Sequence, residues 1–128
     1  MAELKSEVVE EFLAALREGD GERARRLLES HPALSSARDP AGVSALMLAL
    51  YRRLDGFAGT IAESRKMDVW EAAATGAAPR LRELLRESPG RANEPAPDGF
   101  SPLGFAAFFG HEECARTLER KTRSGERP

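Results

Sequence analysis

The side chains that most often carry out chemistry in proteins are few and scattered in this chain of 128 residues. It contains two histidines, His31 and His111, and one cysteine, Cys114. A metal site needs several histidine, cysteine or acidic ligands at coordinating distance. His31 precedes a proline at a predicted helix end and His111 lies at a predicted turn, so a structural role is favoured for both. The sequence therefore predicts neither a bound metal nor a cofactor.

The remaining catalytic candidates also favour structural roles. Cys114 lies at an apolar helix position, where a buried cysteine behaves as a small hydrophobic residue; a catalytic thiol needs a base and an electropositive setting. The carboxylate pairs Glu10–Glu11 and Glu112–Glu113 are adjacent on predicted helices, where consecutive side chains diverge. The sequence has no glycine-rich phosphate-binding loop. We therefore expect a protein that is not an enzyme.

Composition and charge narrow the classes of partner. Hydrophobic residues make up 41% of the chain and charged residues 31%, as in ordinary folded proteins. A formal charge of −2 gives no net attraction to nucleic acid or to anionic lipid. A single cysteine favours a reducing compartment, no apolar run reaches about eighteen residues, and the first residues are too polar for a signal peptide. The expectation is a cytoplasmic protein with no nucleic-acid or membrane partner.

The sequence repeats itself at an offset of 57 residues, which is the separation of Gly42 and Gly99. The shift aligns the two halves without a gap, including glycines, prolines and serines that commonly begin or end helices. The matched positions in the first half are Ala15, Gly19, Arg23, Arg25, Leu27, Leu28, Pro32, Pro40, Gly42, Ser44, Leu46 and Ala49. Their counterparts are Ala72, Gly76, Arg80, Arg82, Leu84, Leu85, Pro89, Pro97, Gly99, Ser101, Leu103 and Ala106. An internal duplication is predicted.

Each half is predicted to form four helices. In the first half, apolar residues at helical spacing and helix-ending signals delimit residues 8–19, 22–30, 44–53 and 57–64. The last of these is interrupted by Gly59, at a cost of about 1 kcal/mol relative to alanine. Polar, turn-forming segments join the second and third helices of each half. Since no segment alternates between apolar and polar residues over a sustained stretch, a sizeable β-sheet is not expected.

The stretch DGFSPLGFAAFFGHEECARTLER, residues 98–120, resembles the ankyrin repeat, whose consensus is Asp-Gly-x-Thr-Pro-Leu-His-x-Ala-Ala-x-x-Gly-His followed by an aliphatic helix. The matching residues are Asp98, Gly99, Ser101, Pro102, Leu103, Ala106, Ala107, Gly110 and His111. Gly104 replaces the family's histidine and cannot make that residue's hydrogen bond between repeats. Independently of the family, Asp-Gly suits a tight turn, Ser101 can cap a helix and Pro102 suits the first helical position.

The resemblance extends by register over nearly the whole chain. The turn position of Gly110 is then taken in the earlier repeats by Gly19, Arg53 and Gly76, and the core position of Leu103 by Phe12, Leu46 and Val69. The implied fold is all-α, an ankyrin-like solenoid of about four stacked helix-turn-helix repeats with two longer connecting loops. The repeats are expected at residues 5–35, 36–66, 67–92 and 93–121, in a single domain 1–121 followed by a frayed tail, 122–128. The junction ESRKMDVW leaves no room for a long hairpin finger, unlike the family.

The resemblance also implies a binding function, because ankyrin repeats contact partners through loop tips and the ends of first helices, on a concave face. The implied contact positions are Arg17, Glu18, Pro40, Ala41, Val43, Tyr51, Arg52, Ala74, Thr75, Pro97, Asp98, Phe100, Phe108 and Phe109. Aromatic residues and arginine dominate interface energies, although Phe108 and Phe109 could instead pack within their repeat. The sequence favours a non-enzymatic module that binds an unidentified protein.

A homodimer is the alternative. Terminal repeats normally carry a polar outer face, whereas the fourth repeat ends at RTLERKTRSGERP without an obvious cap. Apolar surface on its outer side could be covered by a second copy of the chain. This alternative predicts a scaffold or regulatory protein that associates through its C-terminal repeat.

Overall fold

The computed structural model describes residues 5–126, and the side-chain surroundings of residues 5–120. In this range the structure is helical, and its β pairing amounts to one isolated antiparallel bridge between Arg38 and Ser44. The predicted all-α class is therefore confirmed. The chain divides into two compact units, Met1–Lys66 and Met67–Pro128, called here the first and second units. Their boundary lies where the second predicted repeat ends and the third begins.

The first unit contains two helix pairs. Its helices are α1 (Ser6–Glu18), α2 (Gly21–Ser30), α3 (Ala45–Tyr51) and α4 (Asp55–Ser64), with a 3₁₀ turn at Pro32–Ser36 between the pairs. Helix α1 packs against α2, α3 packs against α4, and the first helices of the two pairs, α1 and α3, pack against each other. The fourth helix forms as predicted in spite of Gly59. The 3₁₀ turn was not predicted from the sequence.

The second unit has the same order of elements. Its helices are α5 (Val69–Thr75), α6 (Ala78–Glu87), α7 (Pro102–Phe108) and α8 (Glu112–Glu126), with a second 3₁₀ turn at Pro89–Asn93. Here α5 packs against α6 and α7, and α8 packs against α6, α7 and the 3₁₀ turn. Helix α8 continues through residues 122–126, which the sequence had assigned to a frayed tail; residues 127–128 of that tail lie outside the described range.

The structure bears out the duplication that the sequence predicts. The bounds of α2, the first 3₁₀ turn and α3 recur 57 residues later as those of α6, the second 3₁₀ turn and α7. The residues with a left-handed backbone recur at the same offset, as the pairs Gly19 and Gly76, Gly42 and Gly99, and Arg53 and Gly110. Because local conformation repeats as well as residue type, the two halves are built on one structural pattern.

Side-chain caps begin the helices that follow the long loops. The Ser44 hydroxyl accepts a hydrogen bond from the Met47 N–H at 3.3 Å, and the Ser101 hydroxyl accepts one from the Gly104 N–H at 3.0 Å. Both caps were predicted from the sequence. In addition, Asp68 and Glu71 form a reciprocal capping box at the start of α5, which satisfies two backbone donors at that end.

Each unit has its own apolar core. The largest fully buried hydrophobic side chains are Phe12, Leu16, Leu34, Leu46, Ile61, Val69, Leu81, Leu85, Phe105 and Leu118. The predicted core positions Phe12, Leu46 and Val69 are thus buried. The prediction for Leu103 was wrong, because that residue is half-buried. The buried face of α7, which packs against α5 and α8, consists instead of Pro102, Phe105 and Ala106.

We expect Arg53→Gly to stabilise the protein. Among the described residues, Arg53 is the non-glycine residue with a positive φ, 61°, in the turn between α3 and α4. The left-handed conformation costs an L-residue about 1–2 kcal/mol, which glycine avoids while losing more entropy on folding. The substitution should raise the free energy of unfolding by about 1 kcal/mol in urea denaturation. Arg53→Ala keeps the backbone strain and should not stabilise the protein. Equal stabilisation by the two substitutions would show that the effect comes from loss of the arginine charge.

Candidate interaction surface

Four phenylalanines form a cluster at the beginning and end of α7. The ring centroids of Phe100 and Phe105 lie 5.4 Å apart, and those of Phe100 and Phe108 lie 6.3 Å apart. Phe108 and Phe109 meet edge to face at 5.0 Å. All three separations fall in the range of about 4.5–7 Å that aromatic pairs prefer. Since Phe105 is 1% exposed, it joins the cluster to the core of the second unit.

The outer members of this cluster are exposed to solvent. Phe108 is 67% exposed and Phe100 is 45% exposed, and they are the exposed large hydrophobic side chains of the described residues. Phe109, which follows the last residue of α7, is half-buried. Phe100, Phe108 and Phe109 are called here the aromatic patch. Contiguous exposed apolar surface makes the aromatic patch a candidate for contact with a partner.

The loop before α7 holds Phe100 in place. The Gly99 N–H donates to the Ala96 carbonyl, and the Ala96 N–H donates to the Phe100 carbonyl, both at 2.8 Å. A Cβ at Gly104 would lie 3.3 Å from Ser101 Oγ and 3.5 Å from Phe100 Cδ1, so the Phe100 ring lies over the first turn of α7 at ordinary contact distance. The glycine that departs from the ankyrin consensus therefore lies beside the Phe100 ring and the Ser101 cap.

The equivalent surface of the first unit is less aromatic. At an offset of 57 residues, Phe100, Phe108 and Phe109 correspond to Val43, Tyr51 and Arg52. Val43 and Tyr51 are half-buried, and Arg52 is exposed. The two units therefore have equivalent loops and helix ends, but different side chains at these positions.

A hydrogen-bonded turn fixes the loop of the first unit. The Asp39 carboxylate accepts hydrogen bonds from the N–H groups of Ala41 and Val43, both at 2.9 Å. The Arg38 guanidinium donates to the Gly42 carbonyl at 2.9 Å. Pro40 and Ala41 are exposed at the tip of this turn.

The other predicted contact residues differ in accessibility. Exposed side chains are found at Arg17, Glu18, Pro97 and Asp98. Thr75 is half-buried, and its hydroxyl donates to the Glu71 carbonyl at 2.8 Å. Ala74 is 1% exposed, so its side chain offers no surface to a partner, and its inclusion among the contact residues is corrected. Helical register had placed Ala74 at the end of a first helix, but register does not report burial.

The first unit also contains a cleft between α1 and the loop that follows the first 3₁₀ turn. Its volume is about 600 Å³, and it is lined on α1 by Val9, Glu10, Leu13 and Arg17 and on the loop by Arg38 and Asp39. Leu13 is 4% exposed and lies at the floor. Val9, Leu13 and Arg17 recur four positions apart on α1, so they share one helix face. Sequence reasoning identified Arg17 and Pro40, which both line the cleft, but did not identify the cleft itself.

The histidines and the cysteine occupy structural positions. A Cβ at Gly76 would lie 2.5 Å from His111 Nδ1, so the imidazole packs directly against the end of α5. His31 lies at the end of α2, where its N–H donates to the Leu27 carbonyl at 2.9 Å. Cys114 is buried, and burial raises the pKa of its thiol; Glu113 raises the pKa further and Arg82 opposes the rise. A raised pKa makes the thiolate scarce at neutral pH.

Metal-ion clusters and membrane-spanning helices are absent from the described range. No group of three or more histidine, cysteine, aspartate or glutamate side chains there is arranged to hold a metal ion. No helix there has the length and apolar character needed to cross a membrane.

Comparison with known proteins does not assign the chain to a family. No family model matches the sequence, and no curated protein matches it significantly. Its function is therefore inferred from the surfaces described above.

Proposed function

We propose that the protein is a non-enzymatic recognition module, with an ankyrin-like arrangement of helix pairs, that binds a protein partner in the cytoplasm. The aromatic patch is its principal contact surface. The observation that carries the proposal is the 67% exposure of Phe108 beside the 45% exposure of Phe100. An exposed phenylalanine side chain gains more free energy than a buried one when a partner surface removes it from water.

The energetics favour the aromatic patch as an anchor. Transfer of a phenylalanine side chain from water to an apolar contact is worth about 1.5–3 kcal/mol. Phe100 and Phe108 contact each other, so one partner surface can cover both. The buried Phe105 ring supports Phe100 from below, so the patch is held in place before binding. A surface that is already ordered loses less entropy when it binds.

The arrangement within each unit supports the ankyrin-like part of the proposal. The first helices of the pairs, α1 with α3 and α5 with α7, pack against each other. The turns within the pairs have a left-handed residue at each position expected from the repeat register: Gly19, Arg53, Gly76 and Gly110. The aromatic patch belongs to a loop and to the end of a first helix, which is where such repeats contact partners.

Affinity capture with the tagged full chain from lysate of the source cell tests the proposal. We expect the double substitution of Phe100 and Phe108 by serine to reduce recovery of the main partner at least about tenfold, as truncation of a hot spot does. Arg86→Ser changes an exposed residue of α6 in the same unit and should leave recovery unchanged. Tyr51→Ser tests the equivalent position of the first unit. Undiminished capture by the Phe100 and Phe108 variant would contradict the proposal.

A homodimerising scaffold is the second candidate. Leu103 is half-buried and Ala107 is exposed on α7, so apolar surface is available there for a second copy. Light scattering on the purified chain separates the candidates: a monomer at the highest accessible concentration eliminates the dimer. A dimer that the Phe100 and Phe108 substitutions dissociate would make the aromatic patch a surface for self-association.

A further inference from the structure

The two units differ at one position that lies beside their loops. Leu13 on α1 and Trp70 on α5 are related by the 57-residue offset. The Trp70 indole Nε1–H donates to the Glu94 carbonyl at 2.7 Å, so the ring extends from α5 to the segment that follows the second 3₁₀ turn. Leucine is too short to reach that far and has no donor.

The first unit has an open cleft beside Leu13, the counterpart of Trp70. The cleft of about 600 Å³ lies between α1 and residues 38–40 of the loop after the first 3₁₀ turn. Trp70 connects α5 to Glu94, which is the counterpart of Ala37, just before that loop. Ligand pockets in proteins usually measure about 300–1,000 Å³, so the cleft has room for a side chain and adjoining backbone. Its floor, Leu13 and the half-buried Val9, is aliphatic.

The charges around the cleft favour a neutral ligand. Glu10 and Asp39 carry negative charges and Arg17 and Arg38 carry positive charges along its lining, so they give no net attraction to an anion or a cation. The exposed Glu10 carboxylate can accept a hydrogen bond from an N–H group at the edge of an otherwise apolar ligand. An aliphatic floor with an acceptor at its rim suits an indole, which has an apolar body and one donor.

We propose that this cleft takes an aromatic side chain of a partner peptide, with tryptophan as the preferred residue. The inference rests on the proposed recognition function and specifies the chemistry that the first unit recognises. Its basis is internal to the molecule, because the second unit places an indole at the position of Leu13 and bonds it to the residue just before the equivalent loop. In the first unit the partner supplies the ring that this chain supplies for itself in the second.

Nuclear magnetic resonance of the ¹⁵N-labelled full chain provides the test, with N-acetyl-L-tryptophanamide as the probe and N-acetyl-L-leucinamide as its control. We expect saturable shifts of the amide signals of Val9, Leu13 and Arg38 with the tryptophan amide and weaker binding of the leucine amide. Leu13→Trp copies the second unit and fills the cleft, so binding should weaken at least about tenfold, a change of about 1.4 kcal/mol. Val9→Glu, at a half-buried surface position, should weaken binding without replacing a core residue.

Three outcomes would overturn the inference: no saturable shift at the cleft up to the solubility of the probe, equal binding of both amides, or full binding to both variants. The substitutions of Phe100 and Phe108 by serine lie outside the cleft and should leave these shifts unchanged. If the Phe100 and Phe108 variant loses partner capture and the probe does not bind at the cleft, the proposal for the cleft alone is rejected. Probe binding at the cleft with undiminished capture would reject the aromatic patch alone.

Discussion

Gly76→Ala should destabilise the protein far more than Gly19→Ala, although the two glycines occupy equivalent turns. Their φ angles are 80° and 76°, so alanine meets the same left-handed strain at both positions, about 1–2 kcal/mol. The surroundings differ. A Cβ at Gly19 would have Arg52 Nε as its nearest neighbour at 3.9 Å, whereas a Cβ at Gly76 would lie 2.5 Å from His111 Nδ1 and 2.9 Å from its Cγ.

The His111 ring can move away only by rotation about its own side-chain bonds, because its backbone is held in place. The His111 N–H donates to the Ala106 carbonyl at 2.8 Å, and the Ala115 N–H donates to the His111 carbonyl at 3.0 Å, so the residue is fixed at the beginning of α8. Contact with Cγ means that the ring as a whole, and not only its far edge, must shift. We expect Gly19→Ala to lower the free energy of unfolding by about 1 kcal/mol and Gly76→Ala by at least about twice that.

Urea denaturation of a double-mutant cycle measures the contribution of this contact. His111→Ala removes the ring, so in the double variant Gly76→Ala should be tolerated about as well as Gly19→Ala is. The coupling free energy between positions 76 and 111 should be about 1 kcal/mol or more. Equal destabilisation by the two single glycine substitutions, with no coupling to His111, would show that the imidazole does not pack against the α5 end as described.

Much of the local structure could be predicted because its chemical cause lies within a few residues. The hydroxyls of Ser44 and Ser101 accept from an N–H three residues later, and Gly19 and Gly110 adopt the left-handed conformation at helix ends. Such interactions depend on neighbours in sequence and not on the rest of the fold. The helices and the duplication could therefore be predicted from the sequence.

Burial was harder to predict, because it depends on which elements pack together. Leu46 is fully buried, whereas its counterpart Leu103 is half-buried, although the two occupy equivalent positions in the duplication. The exposed ring of Phe108 and the buried ring of Phe105 lie three residues apart, where helical spacing alone would place them on one side. The cleft beside Leu13 has no sequence signal of its own, because its lining comes from α1 and from a loop that is distant from α1 in sequence.

Phe105→Ala and Phe108→Ala make the same chemical change on one helix, and we expect opposite consequences for folding and binding. Phe105 is 1% exposed, so its truncation leaves a cavity in the second unit and should lower the free energy of unfolding by about 3–5 kcal/mol. Phe108 is 67% exposed and touches neighbouring rings on one side, so its truncation should cost about 1 kcal/mol or less.

The single tryptophan, Trp70, lies in the second unit, so its fluorescence during urea denaturation reports on the unit that both substitutions affect. A Phe108→Ala protein that is nearly as stable as the wild type but loses partner capture would show that binding, and not folding, requires the exposed ring. If Phe108→Ala destabilised the protein as much as Phe105→Ala, the ring would have a structural role and any loss of capture would follow from unfolding. Because an exposed phenylalanine contributes little to stability, the proposed function requires the first result.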